Sequence, residues 1–287
     1  MCFFRKCSIF KISFILIFIC MTKLLLAHSP NSPLIGKRVL VYTKNGEGFV
    51  HDNLKESADA IVRMGQEIGF EVDVYMENAE ELFTDKHLSR YNLVVFANTN
   101  NEVFNSNDQR LAFRRYIQAG GGIVGIHSIL GTERNWTWFN QLIGGSFVWH
   151  PKKQNLYLIK IKDHESTTQV PTVWEWEDEC YFSREYYAGI DVAIVADLDK
   201  IDQADQARIE KYKTSYGTLH PVAWSQKFDG GVSWVTTLGH NKEAYTNSLF
   251  LKHIRGGMEF VAKNSTVLDY TKVYVEDFDE EVRYDFF

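Results

Sequence analysis

The sequence predicts an α/β fold in which an open, mostly parallel sheet carries helices on both faces. Short apolar runs of strand length alternate with segments of helical apolar spacing through the first half of the chain, which is typical of parallel strands joined by right-handed crossovers. The run from Gly122 to His127 is apolar until its final histidine, as expected for a buried parallel strand. The 287 residues are enough for one large domain with a buried core.

The elements of the first half follow in order. Residues 37–43 are predicted as the first strand and residues 53–68 as a helix, because apolar residues recur there at helical spacing before Gly69, which is a stop signal. Apolar strands are predicted next over residues 71–76, 92–97 and 122–127, with a further helix over residues 108–119. The last of these strands would deliver His127 to its carboxyl end.

The second half is predicted to be richer in strands. Period-two alternation indicates strands over residues 156–162, 192–197, 221–226 and 231–238, and helical spacing indicates a closing helix over residues 241–262. Residues 136–219 are interpreted as a β-rich excursion from the open sheet rather than a second domain. We therefore expect one domain over residues 37–263, followed by an acidic, aromatic C-terminal tail over residues 264–287 that is exposed or loosely docked.

Residues 1–27 have the pattern of a secretory signal peptide. Basic residues precede the apolar run 12–21, Ala27 follows it, and no acidic residue occurs among them. The apolar run is too short to span a bilayer comfortably, so we expect cleavage near Ala27, export to the periplasm or the extracellular space, and no stable membrane insertion afterwards. Cleavage would remove three of the four cysteines and leave Cys180 without a partner for an internal disulfide.

The charge of the chain argues against nucleic acid as a partner. The formal net charge is −6, and the loss of four basic residues with the signal peptide would make it about −10. Such a surface repels phosphate backbones, and the sequence contains no evident basic patch. The sequence does not indicate an oligomeric state.

Two histidines are predicted to meet at one edge of the sheet. His127 ends a predicted strand, and ligands of open parallel sheets bind beyond the carboxyl ends of the strands. The loop after the first strand carries His51 and Asp52, and it would reach the same edge if the two loops flank the switch point of the sheet. Asp52 is also positioned to cap the following helix.

Three further segments supply polar and aromatic candidates. Trp149 stands next to His150 and offers a flat face for a sugar ring. Asp178, Glu179 and Tyr181 lie together in a second segment, and His240 follows the last predicted strand in a third. The predicted catalytic residues are His51, His127, Asp178 and Glu179. The predicted substrate-binding residues are Asp52, Trp149, His150, Tyr181 and His240.

The residues are consistent with two kinds of chemistry. Imidazole suits general acid and base catalysis near neutral pH. A divalent metal held by imidazole nitrogens and a carboxylate is the other kind, although no local His-x-x-x-His spacing supports it. The structural alternative is that strand-end histidines only make hydrogen bonds. A serine nucleophile at Ser128 is disfavoured because Ile126 and Leu130 stand where a nucleophile elbow has glycines.

Six segments, in order, resemble the trehalose-utilisation, or ThuA-like, family: residues 48–52, 120–128, 138–151, 178–181, 221–224 and 238–240. The resemblance implies a class I glutamine-amidotransferase-like (flavodoxin-like) fold. His127 occupies the position of the cysteine in the Gly-x-Cys turn of that class, so the chain is not expected to be a glutaminase. The sequence departs from the family at Asp163-His164-Glu165, where a His-Pro pair is usual, and in the tail after Asn264.

The resemblance also implies a role in carbohydrate metabolism, linked in the family to glycosides oxidised to keto sugars. We therefore expect an exported carbohydrate-processing protein whose partner is a small sugar or glycoside. The reaction would be that of a glycoside or keto-glycoside hydrolase, lyase or isomerase. The alternative is a non-catalytic carbohydrate-binding or accessory protein on the same fold.

Overall fold

The structure is a computed structural model that describes residues 31–278, apart from residues 203, 205, 214 and 215. The predicted signal peptide and the last residues of the predicted tail lie outside the described residues. The strands are β1 (Arg38–Tyr42), β2 (Glu71–Tyr75), β3 (Leu93–Ala97), β4 (Gly122–Ile126), β5 (Gly145–Trp149), β6 (Gln154–Lys160), β7 (Val173–Asp178), β8 (Phe182–Tyr186), β9 (Asp191–Asp197), β10 (Leu219–Phe228) and β11 (Gly231–Thr236). The helices are α1 (Leu54–Ile68), α2 (Asp85–Leu88), α3 (Asn107–Gln118), α4 (Thr137–Ile143), α5 (Gln206–Tyr212) and α6 (Ser248–Asn264).

Nine strands form one sheet in the order β2-β1-β3-β4-β11-β10-β9-β6-β7. The five strands from β2 to β11 pair in parallel, and the pairings from β11 to β7 are antiparallel. The predicted parallel sheet is therefore confirmed, and the β-rich excursion adds antiparallel strands to its edge. Strand β7 was not predicted, nor were β5 and β8, which pair with each other as a separate ribbon.

Helices cover both faces of the sheet, as predicted. Along β1, Val39 and Val41 point to one core and Leu40 and Tyr42 to the other, because successive side chains of a strand alternate between faces. The first core is closed by apolar residues of α1 and α6, and the second by those of α3 and α4. These four residues of β1 are fully buried, which explains why they appear in the sequence as a continuous apolar run.

Helix α1 begins one residue later than it would if Asp52 were its N-cap. Its N-cap residue is Asn53, so the prediction that Asp52 caps the helix is wrong. Gly69 ends the helix in the left-handed conformation, with φ of 97°, and the predicted stop is confirmed. At the other end of the domain, Asn247 caps α6 by accepting the N–H groups of Leu249 and Phe250, so this helix also starts later than predicted.

The tail after α6 packs against the domain as far as residue 278. Gln118 Oε1 accepts the backbone N–H groups of Tyr274 and Val275, and the ring of Phe278 lies 5.5 Å from that of Trp136. In the described part of the chain, none of the helices combines the length and the apolar character that crossing a bilayer requires.

Candidate functional site

Four side chains from distant parts of the sequence meet at one edge of the sheet. His51 lies in the loop after β1, His127 follows β4, Glu179 follows β7 and His240 follows β11. One nitrogen or oxygen atom from each lies within 4.8 Å of those of the others. Strand β7 runs in the same direction as β11 because four antiparallel pairings separate the two strands. Glu179 therefore leaves the sheet at the same edge as the histidines.

His127 presents an unprotonated nitrogen to this cluster. Its Nδ1 lies 2.8 Å from the carbonyl oxygen of Thr237, and since a carbonyl only accepts, Nδ1 carries the proton. Burial lowers the pKa of His127 to about 4, so the ring is neutral at pH 7 with its lone pair on Nε2. The backbone of His127 has φ of 52°, a left-handed conformation that non-glycine residues seldom adopt. The fold thus holds this ring in place at a cost in backbone strain.

His51 faces His127 directly. The two Nε2 atoms are 3.2 Å apart. Burial, reinforced by the neighbouring histidines, lowers the pKa of His51 to about 3, so this ring is also neutral. Its Nδ1 is buried and has no hydrogen-bond partner among the described residues. Two neutral imidazoles that approach nitrogen to nitrogen can share at most one proton.

Glu179 supplies the negative charge of the cluster. Its Oε2 lies 3.1 Å from His240 Nδ1 and 3.6 Å from His127 Nε2. Burial raises the pKa of Glu179, but His240 and the other histidines lower it more, so the pKa lies below its ordinary value and the carboxylate is ionised. Contact with Glu179 raises the pKa of His240 in turn. The 3.1 Å contact is an ion pair only while His240 is protonated, and a metal ion would bind the neutral form of this ring.

Tyr181 and His150 border the cluster. The Tyr181 hydroxyl lies 3.1 Å from His127 Nε2 and 3.4 Å from His51 Nε2. Burial raises the pKa of Tyr181 well above its ordinary value, so the phenol stays protonated and acts as a donor. His150 stacks on Tyr181 with ring centroids 5.3 Å apart, and its Nδ1 lies 2.9 Å from the carbonyl oxygen of Pro151.

Asp178 lies behind the cluster and organises its backbone. Its carboxylate accepts the backbone N–H groups of Gly239 (2.7 Å), Glu179 (2.9 Å) and His240 (3.2 Å), and also the indole N–H of Trp176 (2.9 Å). Burial raises the pKa of Asp178 to about 6, while these four donors limit the rise. One fully buried carboxylate therefore positions two members of the cluster.

The closest spacings in the cluster and the neutral state of His51 and His127 fit a divalent metal site. Ligand atoms about 2.0–2.1 Å from a tetrahedral ion are roughly 3.3 Å from one another. The closest contacts here are 3.2 Å, 3.1 Å and 3.6 Å. Three imidazoles and a carboxylate are a donor set used by Zn²⁺ and related first-row ions. The bond from His127 Nδ1 to the Thr237 carbonyl is the support that metal-ligating histidines usually have.

A cavity of about 210 Å³ opens beside the cluster. Its lining comprises Phe49, His51, Asn100, Ser128, Gly131, Arg134, Phe147, His150, Glu179 and Tyr181. The Ser128 hydroxyl is buried there without a hydrogen-bond partner among the described residues. The cavity combines aromatic faces with amide, hydroxyl and charged groups, which is the composition expected of a site for a small polar ligand.

The sequence profile of the ThuA family, described as trehalose utilisation, matches residues 38–261. The chain belongs to the ThuA family. All four cluster residues lie within the matched range, and the family description points to carbohydrate utilisation. Among curated proteins, none matches the chain.

Solved ThuA-like proteins share the fold. A ThuA-like protein of Bacteroides uniformis is 18% identical, with a TM-score of 0.65 over 84% of this chain and 96% of its own. A ThuA-like protein of Parabacteroides merdae is also 18% identical, with a TM-score of 0.59 over 82% and 92%. A cytoplasmic protein of Salmonella typhimurium is 9% identical, with a TM-score of 0.52 over 78% and 98%. At these identities the likeness shows a shared fold alone.

Two residues predicted to bind substrate lie elsewhere in this ThuA-family chain. The Asp52 side chain is 80% exposed and forms an ion pair of 3.0 Å with Lys242. Trp149 is buried, with its ring 5.3 Å from that of Phe182, and it does not line the cavity. The remaining predicted residues are in the cluster, on its border or, for Asp178, directly behind it.

Three residues of the site were not predicted from the sequence. Asn53 Nδ2 donates to the carbonyl oxygens of Gly239 (2.9 Å) and His240 (2.8 Å), which ties the start of α1 to the loop that carries His240. In the sequence, residue 53 was only the first residue of a predicted helix. Asn100 and Arg134 enter the cavity from irregular loops, where the sequence has no periodicity.

Cys180 does not take the place of the absent cysteine nucleophile. Its thiol is fully buried, and burial raises its pKa to about 12, so the reactive thiolate is not available at neutral pH.

Proposed function

We propose that this ThuA-family chain is a metal-dependent carbohydrate-processing enzyme that acts on a glycoside or keto-glycoside. The observation that carries the proposal is the convergence of His51, His127, His240 and Glu179 at ligand-to-ligand distances, with a small polar cavity beside them. The family description supports a carbohydrate as the substrate class.

The protonation of the two central histidines favours metal binding over acid and base catalysis by these rings. An efficient general base at neutral pH has a pKa near 7. The pKa values of His51 and His127 are lowered to about 3 and about 4, so both rings are neutral, weak bases and each keeps one lone pair. Weakly basic, neutral imidazoles next to a carboxylate suit a divalent cation.

Tyr181 and His150, which border the cluster, are then assigned the roles of hydrogen-bond donor and proton acceptor. A bound divalent ion would polarise a sugar carbonyl or hydroxyl oxygen as a Lewis acid. Tyr181, which stays protonated beside His127, would donate a hydrogen bond to that oxygen. His150 directs Nδ1 at the Pro151 carbonyl, which makes Nε2 its basic nitrogen, and it lines the cavity where it could accept a substrate proton.

The test combines metal analysis with turnover. The protein would be purified, its divalent metal content measured, and its activity followed on a panel of glycosides and keto-glycosides before and after chelation. We expect stoichiometric metal, loss of activity on chelation, and loss of both in His127→Ala and in Glu179→Gln. Glu177→Gln is a matched control because Glu177 is in the same segment as Glu179 but is exposed and pairs with Lys153. Equal rates in wild type and His127→Ala would refute the proposal.

We also propose that the chain is exported, on the strength of the basic, apolar and small-residue pattern of residues 1–27. Amino-terminal sequencing of the protein from the host's exported fraction would test this. A start near His28 is the expected result, and an intact Met1 would contradict it.

A further inference from the structure

We infer that a second sugar-binding subsite lies next to the cluster cavity, in a groove that takes the second ring of a neutral disaccharide or the polyhydroxylated leaving group of a glycoside. The groove is lined by residues 44–47, by residues 101, 102, 104 and 105, and by Arg134 and Asn135. This inference rests on the proposed function, since it assigns the part of the substrate that the cluster cavity does not hold.

The groove and the cluster cavity share a wall. Arg134 lines both spaces, and the adjacent residues Asn100 and Asn101 line one space each. The guanidinium of Arg134 donates to the side-chain oxygens of Asn100 (3.1 Å) and Asn101 (3.2 Å), which joins the two linings. A ligand that extends from the cluster past Arg134 would therefore enter the groove.

The two spaces differ in size in the way that a two-part substrate requires. The cluster cavity has a volume of about 210 Å³, and the groove has about 690 Å³. Pockets for small organic ligands usually have volumes of about 300–1,000 Å³. The cavity alone is below that range and suits a single ring, whereas the cavity and groove together accommodate two.

The lining of the groove matches hydroxyl groups rather than a charged ligand. Four asparagines, whose amides both donate and accept, line it: Asn45, Asn101, Asn105 and Asn135. The cations Lys44 and Arg134 are balanced by two carboxylates, Glu47 and Glu102. Asn105 uses its oxygen to accept from Lys44 at 2.9 Å, and its amide N–H groups have no partner among the described residues.

The walls of the groove are held rigidly. Glu133, which is 2% exposed, accepts the backbone N–H groups of Val103 and Phe104 and pairs with Arg110 at 2.8 Å. Asn101 and Glu133 have φ of 61° and 48°, a strained conformation that persists only where the surroundings enforce it. The groove is therefore preformed, which lowers the entropic cost of binding a flexible glycoside.

The test compares disaccharides with monosaccharides. Affinities of trehalose, maltose, cellobiose and the methyl glucosides would be measured by calorimetry on the full mature chain, for wild type, Asn105→Ala, Asn135→Ala and the double variant. Asn155→Ala is the matched control, because Asn155 is an exposed asparagine on β6 outside the groove. We expect the double variant to weaken at least one disaccharide by about 5-fold or more, and the methyl glucosides by less than about 2-fold.

Three results would overturn the inference: no binding of any disaccharide, equal weakening of disaccharides and methyl glucosides, or equal effects in Asn155→Ala and the groove variants. Repeating the titrations after chelation separates the two proposals. Selective disaccharide binding in a protein that binds no metal would refute the proposed function and leave the groove assignment standing. A protein that binds metal and is active but does not prefer disaccharides would refute the groove assignment and leave the proposed function standing.

Discussion

A divalent ion should stabilise the folded protein through the cluster, and Glu179→Gln should remove most of that effect. The four ligands come from four separate loops, so an ion that binds all of them binds only the folded chain. A ligand that binds only the folded state stabilises it by about 2.7 kcal/mol when its free concentration is 100 times its Kd. For a domain of this size, each kcal/mol shifts the melting temperature by about 2–4 °C. The expected rise is therefore about 5–11 °C.

The Glu179→Gln variant isolates the charge of the cluster. The substitution keeps the shape of the side chain but removes the anion that lies 3.1 Å from His240 and 3.6 Å from His127. Three neutral imidazoles and an amide bind a divalent ion much more weakly, so the rise should fall below about 2 °C at the same metal concentration. The rise in melting temperature should persist in Lys242→Gln, because Lys242 pairs with the exposed Asp52 outside the cluster.

The assay is thermal unfolding, followed by calorimetry or by fluorescence, of chelator-treated protein with and without Zn²⁺, Mn²⁺ or Co²⁺. A melting temperature that none of the three ions raises would refute the assignment of the cluster as a metal site. An equal rise in wild type and Glu179→Gln would show that the ions bind elsewhere.

Three further perturbations have definite expected outcomes. Asp178→Ala leaves four N–H donors without their acceptor, so urea unfolding should show a loss of about 3 kcal/mol or more, and a loss below about 1 kcal/mol would contradict the positioning role. Burial lowers the pKa of His253 from 6.5 to about 3, so the unfolded chain binds one more proton between these values and stability falls as pH falls through that window. His253→Gln should reduce the slope of unfolding free energy against pH by about 1.4 kcal/mol per pH unit, and an unchanged slope would disprove this account. Trp149→Ala should destabilise the fold by about 3–5 kcal/mol without changing sugar affinity, whereas weaker binding in calorimetry would support Trp149 as a sugar platform.

The parallel half of the fold could be predicted because its signals are local. Strand β1 is apolar on both faces, α1 has one apolar face, and Gly69 ends that helix in a conformation that favours glycine. His127 was identifiable as a site residue for the same reason. A strand end is marked in the sequence, and the carboxyl ends of parallel strands meet at one edge whatever the details of packing.

The tertiary structure determined which distant side chains come together, and the pattern of strand ends in the sequence does not show this. Glu179 reaches the histidines only because four antiparallel pairings carry β7 back to the same edge, and strand pairing over such distances in the sequence leaves no local pattern. The same holds for Asn53, which bonds to a loop 186 residues away, and for Trp149, which packs into a core rather than a cavity. Periodicity thus determined which segments are strands and helices, while packing between distant segments determined which side chains share a site.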